Sequence, residues 1–323
     1  MSFTQTTVTI FGGTGFVGKQ IVRELANLGM RIKVATRIPE RAYELRPCGV
    51  VGQVVPVSCD YNDSASIGNA VKGSDYVVNC IGILYKKRKN DFKRVHIQIP
   101  DMIARACAQH DVKRFVQISA LGVDIGKSRY AKTKLEGEQA IRRSFKNAVI
   151  LRPSVIFGPD DEFFNMFARM AQVLPALPLI GGGKTKFQPV YVGDVADAVV
   201  KALQIPSADK ASPIGKTYEL GGPEILTFKD IYARLFENIG YKKPLIPLPW
   251  SLARIKGTFL SLLPKPPLTG DQVVSLKTDN IVSEDALKLK DLGITATGMQ
   301  LILPQYLKYY RPGSHYSESK EAL

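Results

Sequence analysis

Three side chains near the middle of the sequence have the types and spacing needed for proton transfer to a carbonyl group. Ser119 ends an apolar run, and Tyr130 and Lys134 follow it, four residues apart. Residues four apart on a helix share one face, so the phenol and the ammonium are expected to lie together. A neighbouring ammonium favours phenolate, which predicts a lowered pKa for Tyr130 and a role for it as acid or base. Ser119 is then placed to polarise the carbonyl oxygen. The alternative is an ordinary amphipathic helix surface.

A glycine-rich turn near the start of the chain has the context that dinucleotide binding requires. Thr7–Phe11 forms an apolar run typical of a buried strand, and apolar residues at helical spacing continue from Ile21 until Gly29 ends the pattern. Such a turn lets the backbone and the positive end of the helix dipole approach a pyrophosphate. A plain strand-to-helix connection is the less favoured alternative. The predicted contacts are Gly12, Gly13, Thr14, Gly15, Phe16, Val17 and Gly18.

The end of the second predicted strand, residues 31–37, indicates which dinucleotide is bound. A site for NAD usually has an acidic residue there to bond the ribose hydroxyls. This sequence has Thr36 and Arg37 instead, with Arg41 shortly after. An arginine suits a 2′-phosphate, so NADPH is the predicted cofactor. The alternative is an arginine that only faces solvent.

Strand and helix patterns alternate up to about residue 119, which predicts a parallel sheet with helices on both faces. Ligands of such sheets bind outside the carboxyl ends of the strands. Further cofactor contacts are therefore predicted at four positions near strand ends, in addition to Ser119, Tyr130 and Lys134. Lys134 is expected to hold the nicotinamide ribose together with Tyr130. The four positions are Asp60, Ile81, Gly82 and Pro153.

The composition is that of an ordinary globular protein, with 45% apolar and 23% charged residues in a chain of 323. The four cysteines have no metal-ligand spacing, so no metal site is predicted and the thiols are expected to be reduced. They are Cys48, Cys59, Cys80 and Cys107.

The formal net charge of +15 predicts an acidic partner. Residues 86–89, with Lys93 and Arg94, form the densest basic cluster, which is either a solvated loop or an anionic docking surface. No nucleic-acid motif accompanies it, so no nucleic-acid partner is expected. No run is long enough to predict a transmembrane helix, and residues 1–5 lead directly into the first strand, without the pattern of a signal peptide.

The second half of the sequence predicts more helix than strand. An apolar helix over 163–174 is either core or the wall of a substrate pocket, and core is favoured. A helix over 194–204 and a strand over 217–220 should return to the main sheet, and a capping box at Thr227 opens a helix to about residue 240. Two closing helices are predicted over 283–292 and 297–310.

Residues 244–265 differ from their surroundings in being proline-rich, apolar and basic. They contain the single tryptophan, Trp250, and a predicted helix over 251–263 that carries Arg254 and Lys256. This composition is typical of a helix at a membrane interface, so contact with anionic lipid is one prediction. A helix packed on the protein core is the alternative.

Taken together, the motifs resemble the extended short-chain dehydrogenase/reductase superfamily. The resemblance rests on the glycine turn, on Ser119, Tyr130 and Lys134, and on residues 151–159 and 190–196. More narrowly, the chain resembles the family of nucleotide-binding accessory subunits of respiratory complex I. The stretches that carry the narrower resemblance are 78–85, 118–122, 128–134, 161–165, 178–183, 187–192 and 267–273.

This resemblance implies a tightly held NADPH, little or no turnover, other complex I subunits as partners, and a role in stabilising the peripheral arm near the membrane. The short interval from Ser119 to Tyr130 agrees, because it truncates a loop that would help hold a sugar nucleotide. An active NADP-dependent reductase or epimerase that uses Tyr130 and Lys134 is the alternative. A third, weaker hypothesis is a redox-sensing regulator without catalysis.

The fold class expected is α/β, a Rossmann-type doubly wound parallel sheet with a smaller, mainly helical C-terminal part. The predicted boundaries are 1–222 for the NADP-binding domain, 223–312 for the C-terminal part and 313–323 for a disordered tail. The expected location is peripheral, on the cytoplasmic face of the bacterial inner membrane, or on the matrix side for a processed mitochondrial chain.

Overall fold

The computed structural model of the chain describes residues 6–86, 91–209, 211–264 and 266–313. Most of the basic cluster at 86–89 and the predicted disordered tail from residue 314 onward lie outside these ranges. Within them no helix has both the length and the apolar character needed to cross a bilayer. All four cysteines are free thiols, as predicted.

The described strands are short and mostly buried. They are β1 (Thr7–Phe11), β2 (Arg31–Thr36), β3 (Val54–Ser58), β4 (Tyr76–Asn79), β5 (Arg114–Ile118), β6 (Val149–Pro153), β7 (Ile156–Phe157), β8 (Leu177–Ile180), β9 (Lys186–Phe187), β10 (Val190–Tyr191), β11 (Thr217–Leu220), β12 (Leu226–Thr227) and β13 (Leu245–Leu248).

The helices alternate with these strands in the first part of the chain and dominate later. They are α1 (Phe16–Asn27), α2 (Ser64–Val71), α3 (Asp91–Lys93), α4 (Ile99–Gln109), α5 (Arg129–Ser144), α6 (Phe164–Val173), α7 (Val192–Gln204), α8 (Phe228–Ile239), α9 (Trp250–Leu260), α10 (Gly270–Ser275) and α11 (Met299–Leu307). A π-helical turn, Arg94–Gln98, joins α3 to α4, and short 3₁₀ segments cover Pro39–Cys48, Gly181–Gly183, Leu289–Leu292 and Lys308–Tyr310.

Seven strands form one parallel sheet in the order β11-β6-β5-β4-β1-β2-β3. The chain leaves β1 toward β2 and β3 on one side, and then returns to β4 on the other. The point beside β1 where the direction reverses is where doubly wound sheets bind ligands. The predicted fold class is confirmed.

Apolar clusters cover both faces of this sheet, as expected for a parallel sheet. On one face Ile21 and Leu25 of α1 pack with Val199 of α7. On the other face Ile67 of α2 packs with Ile103 of α4. The sheet is thereby held between two helical layers, and only the ends of its strands are available to a ligand.

A second core lies in the C-terminal half and joins α6, α8 and α11. Phe164 and Phe167 of α6 are buried there with Tyr232 of α8 and Leu303 of α11. The prediction that the apolar helix over 163–174 is core is confirmed. This core crosses the predicted domain boundary at residue 222, because α6 lies before that residue and α8 lies after it. The boundary therefore stays a prediction.

The helix predicted over 283–292 is wrong, because only Leu289–Leu292 is helical there, as a 3₁₀ segment. The backbone before it pairs with the exposed edge of β11: Glu219 N donates to Leu287 O at 2.8 Å, and Ser283 N donates to the Glu219 carboxylate at 2.8 Å. At this position, hydrogen bonding to the free edge of β11 outweighs the local helical pattern. The other closing helix is confirmed as α11 with its 3₁₀ extension.

Candidate dinucleotide site

The predicted cofactor residues come together along one edge of the sheet, where the parallel strands end. Each follows a different strand or closes it, so residues distant in sequence become neighbours. In strand order they are Gly12 after β1, Arg37 after β2, Asp60 beyond β3, Ile81 and Gly82 after β4, Ser119 after β5, and Pro153 at the end of β6.

The turn between β1 and α1 leaves no space for side chains at two of its glycines. Gly12 has φ +77°, which L side chains rarely adopt, and a Cβ there would lie 3.0 Å from the carbonyl carbon of Cys80. A Cβ at Gly18 would overlap the Gly12 carbonyl oxygen, so glycine is needed for α1 to start this close to the strand. Both constraints agree with the predicted glycine roles.

The amino end of α1 is open toward the same edge of the sheet. Gly15 is the N-cap residue, and no side chain caps the helix among the described residues. The first N–H groups of a helix have no partner within it and carry a partial positive charge. This end of α1 therefore fits a pyrophosphate group.

Arg37 is exposed at the start of the loop after β2. Its guanidinium carbon is 5.5 Å from the centre of the Tyr61 ring, and Tyr61 Oη donates to Ala35 O at 2.7 Å. The tyrosine thereby gives the arginine a fixed apolar support. Asp60 is turned to its own loop, because its Oδ1 accepts from the backbone and side-chain N–H groups of Asn62, both at 2.9 Å.

Lys134 is a buried ammonium with one hydrogen-bond acceptor among the residues that the structure describes. Its Nζ donates to Ile118 O at 3.1 Å and lies 3.8 Å from where a Cβ on Gly82 would be. Burial lowers the pKa of Lys134 to about 8, although the nearby Glu138 opposes the effect. An ammonium has three donors, so two N–H groups remain for a ligand such as a ribose hydroxyl.

Tyr130 lies one helical turn before Lys134, and its electrostatics differ from the expectation. Burial raises the pKa of Tyr130 to about 12, so the predicted lowering by Lys134 is wrong in direction. The ammonium donates to Ile118 O, and burial is the cause of the raised pKa of the phenol. Asp271 of α10 accepts the backbone N–H of Tyr130 at 3.0 Å and that of Arg129 at 2.8 Å.

Ser119 donates its hydroxyl proton to a carboxylate inside the protein. Its Oγ is 2.5 Å from Glu138 Oε1, and Glu138 also accepts from Arg152 at 3.0 Å and 2.8 Å. Arg152 in turn contacts Asp124 at 2.7 Å. The predicted polarising group therefore belongs to a buried ionic network that links α5 to β6.

Four residues of the site were not found from sequence, namely Tyr61, His96, Glu138 and Asp271. A signal existed for Glu138, which is four residues after Lys134 and so continues the face of Tyr130 and Lys134. Asp271 lies inside a Thr-x-x-Gln capping box at Thr269. The ring contact of Tyr61 and the π-helical position of His96 have no local sequence signal.

The sequence profile of the NAD dependent epimerase/dehydratase family matches residues 8–221. The chain belongs to this family. This confirms the resemblance that the glycine turn and the Ser119, Tyr130 and Lys134 trio indicated.

This chain is 34% identical over 317 residues to a relative from Arabidopsis thaliana, NADH dehydrogenase [ubiquinone] 1 alpha subcomplex subunit 9, mitochondrial. The match covers 94% of this chain and 78% of that protein. The subunit of the same name from Mus musculus is 33% identical over 329 residues, which cover 97% of this chain and 84% of the relative. A solved structure with the same fold is the NADPH-dependent quinone oxidoreductase of Escherichia coli complexed with NADPH, with TM-score 0.73, 20% identity, and coverage of 94% of this chain and 99% of that one.

Proposed function

We propose that this chain is a non-catalytic NADPH-binding accessory subunit of respiratory complex I, the NADH:ubiquinone oxidoreductase. The single observation that carries the proposal is a contrast within the site. The groups that bind a dinucleotide are open, whereas the Ser119 hydroxyl, which would polarise a substrate, is held by Glu138 at 2.5 Å. The near-full-length similarity to mitochondrial complex I subunits supports the assembly.

The residues present fit NADPH at three positions. The uncapped end of α1 and the glycine turn suit the pyrophosphate, Arg37 suits a 2′-phosphate, and the free donors of Lys134 suit the nicotinamide ribose. Bound there, the cofactor would supply a hydride donor. Tyr130, Ile81, Gly82 and the end of β6 at Pro153 would surround its nicotinamide half.

The remaining site residues argue for retention of the cofactor rather than turnover. A phenol whose pKa is raised to about 12 is a poor base at neutral pH. The backbone N–H groups at the start of α5 are already bonded to Asp271, which ties the C-terminal part of the chain to this helix. The first feature disfavours proton transfer, and the second holds the start of α5 in one arrangement.

A second candidate, an active NADP-dependent reductase, is favoured by one observation. The Tyr130 hydroxyl donates no hydrogen bond to any residue that the structure describes, so it is free to meet a substrate. Tyr130→Phe separates the two functions, because it removes the acid or base and keeps the ring. The accessory-subunit function predicts unchanged NADPH content and unchanged assembly into complex I; loss of a measurable NADPH-dependent reductase activity in this variant would contradict it.

We further propose that α9 and the residues after it contact anionic lipid at the membrane surface. Phe259 is 70% exposed and Leu262 83% exposed, which is unusual for large apolar side chains. Arg254 and Lys256 are exposed on the same segment. Apolar residues that enter the interface, with cations that meet lipid phosphates, are what an interfacial helix uses.

The anchoring of α9 supports this proposal, because only one side of the helix is packed on the protein. Ala253 is buried, and a Cβ on Gly257 would lie 2.8 Å from the Thr269 carbonyl carbon. At the start of the helix, a Cβ on Gly181 would overlap the Trp250 ring. With the net charge of +15, this supports a peripheral location on the membrane face where NADH is oxidised, which is the cytoplasmic face in a bacterium.

A further inference from the structure

A buried histidine lies directly behind the candidate dinucleotide site. His96 is 3% exposed and belongs to the π-helical turn Arg94–Gln98. Such turns insert a residue into a helix and occur often at functional sites. A Cβ on Gly137 of α5 would overlap the His96 carbonyl oxygen, so backbone packing already fixes this turn against α5.

The imidazole joins the two segments that face the cofactor. Its Nδ1 lies 3.0 Å from Thr133 Oγ1 on α5, next to Lys134. Its Nε2 lies 3.1 Å from Ile83 O and 3.3 Å from Ile83 N, directly after Ile81 and Gly82. One side chain therefore connects α5 to the loop that follows β4.

The ring is neutral, since burial, with the charge of Lys134, lowers the pKa of His96 to about 3. A neutral imidazole has one donor and one acceptor. If Nδ1 donates to Thr133, Nε2 accepts from Ile83 N, and the threonine hydroxyl donates to Arg129 O at 2.9 Å. If Thr133 donates to Nδ1, Nε2 donates to Ile83 O. Either tautomer satisfies both ends.

Ring contacts also connect His96 to Tyr130. The Phe92 ring stacks on the imidazole with centroids 5.1 Å apart, and the Tyr130 ring meets it edge-on at 5.3 Å and 90°. The imidazole therefore contacts the Tyr130 ring as well as the loop after β4.

We propose that His96 is a positioning residue that holds the loop after β4 against α5 and so sets the residence time of the nicotinamide half of the cofactor. The inference rests on the proposed NADPH binding. Because packing at Gly137 fixes the α5 side, the bond from Nε2 to Ile83 is the one that matters. The adenine half, bound at Gly12–Gly18 and Arg37, should not depend on it.

Two substitutions separate the two bonds. In His96→Gln the side-chain amide reaches the place of Nε2 and keeps the contact with Ile83, whereas in His96→Asn it reaches only the place of Nδ1 and keeps Thr133. Release of NADPH from the purified full-length chain is followed by nicotinamide fluorescence after addition of excess unlabelled NADP⁺. A second probe, adenosine 2′,5′-bisphosphate, lacks the nicotinamide and its ribose and therefore reports the adenine half. Because it does not fluoresce, its binding is measured by titration calorimetry.

The expected result is NADPH release about ten-fold faster from His96→Asn, which corresponds to the loss of one hydrogen bond. NADPH release from His96→Gln should be close to that of wild type. Both variants should bind adenosine 2′,5′-bisphosphate as the wild type does. Equal NADPH release from all three proteins would overturn the inference and leave the proposed function intact. Equal loss of both probes in both variants would also overturn it, since His96 would then only stabilise the fold. A wild-type chain that binds no NADPH would overturn the proposed function, and the inference with it.

Discussion

The buried ammonium of Lys134 destabilises the cofactor-free protein. Replacing Lys134 should therefore stabilise the cofactor-free protein and weaken cofactor binding. The side chain is 7% exposed, and burial lowers its pKa from 10.5 to about 8. One pKa unit corresponds to about 1.4 kcal/mol, so keeping the ammonium charged at neutral pH costs about 3 kcal/mol. Lys134→Met keeps the length of the side chain and removes the charge. It forfeits the hydrogen bond to Ile118 O, which is worth about 1 kcal/mol.

The predicted net effect at pH 7 is therefore a gain of about 2 kcal/mol in the free energy of unfolding of cofactor-free protein. The gain should depend on pH in a defined direction. Between about 8 and 10.5 the unfolded chain binds a proton at this lysine that the folded chain does not, so wild-type stability rises with pH. The advantage of Lys134→Met should then shrink across that window and be lost by its upper end.

Chemical unfolding at pH 7 and pH 10 measures this effect, with the fluorescence of Trp250, the single tryptophan, as the signal. Lys132→Met is the matched control, because Lys132 is exposed on the same helix and its replacement should change stability by no more than about 0.5 kcal/mol. A Lys134→Met protein less stable than wild type at pH 7, or a gap equally large at pH 10, would refute the reasoning. The same variant should lose bound NADPH on gel filtration.

Two further predictions concern the adenine half of the site and the exposed helix. Arg37→Ala should weaken NADPH binding about ten- to hundred-fold, the range for a charge-assisted hydrogen bond, and should leave NADH binding nearly unchanged. Arg41→Ala is the control, and both affinities are measured by titrating cofactor-free protein with each cofactor. Equal losses for both cofactors would count against the 2′-phosphate contact. Phe259→Glu should reduce flotation with vesicles containing anionic phosphatidylglycerol at least about ten-fold, since a buried phenylalanine contributes roughly 1.5–3 kcal/mol. Val51→Glu, at a fully exposed site on the far edge of the sheet, should leave flotation unchanged. If Phe259→Glu floats as wild type does, α9 contacts protein rather than lipid.

The sequence predicted those features that depend on local pattern. A short stretch of sequence is enough to recognise the strands of the sheet, the glycine turn and α5 with Tyr130 and Lys134, from hydrophobic periodicity or turn residues. The carboxyl-end rule then placed the predicted cofactor residues at one edge of the sheet without knowledge of their contacts.

The features that were missed depend on contacts between distant segments. The capture of Ser119 by Glu138 requires α5 to lie against the end of β5, and the extended backbone before Leu289 depends on the unpaired edge of β11. The direction of the Tyr130 pKa depends on where the Lys134 ammonium points, which a four-residue spacing does not specify. Burial, rather than the neighbouring charge, decides that pKa.

The most direct test of membership in complex I is migration of the native protein. Membranes solubilised in mild detergent are separated by size, and each fraction is assayed for this chain, for NADH dehydrogenase activity and for extractable NADPH. The proposed function predicts that the chain migrates with the large active complex, with about one NADPH per chain. A small species separate from that activity, which exchanges its cofactor readily, would contradict it.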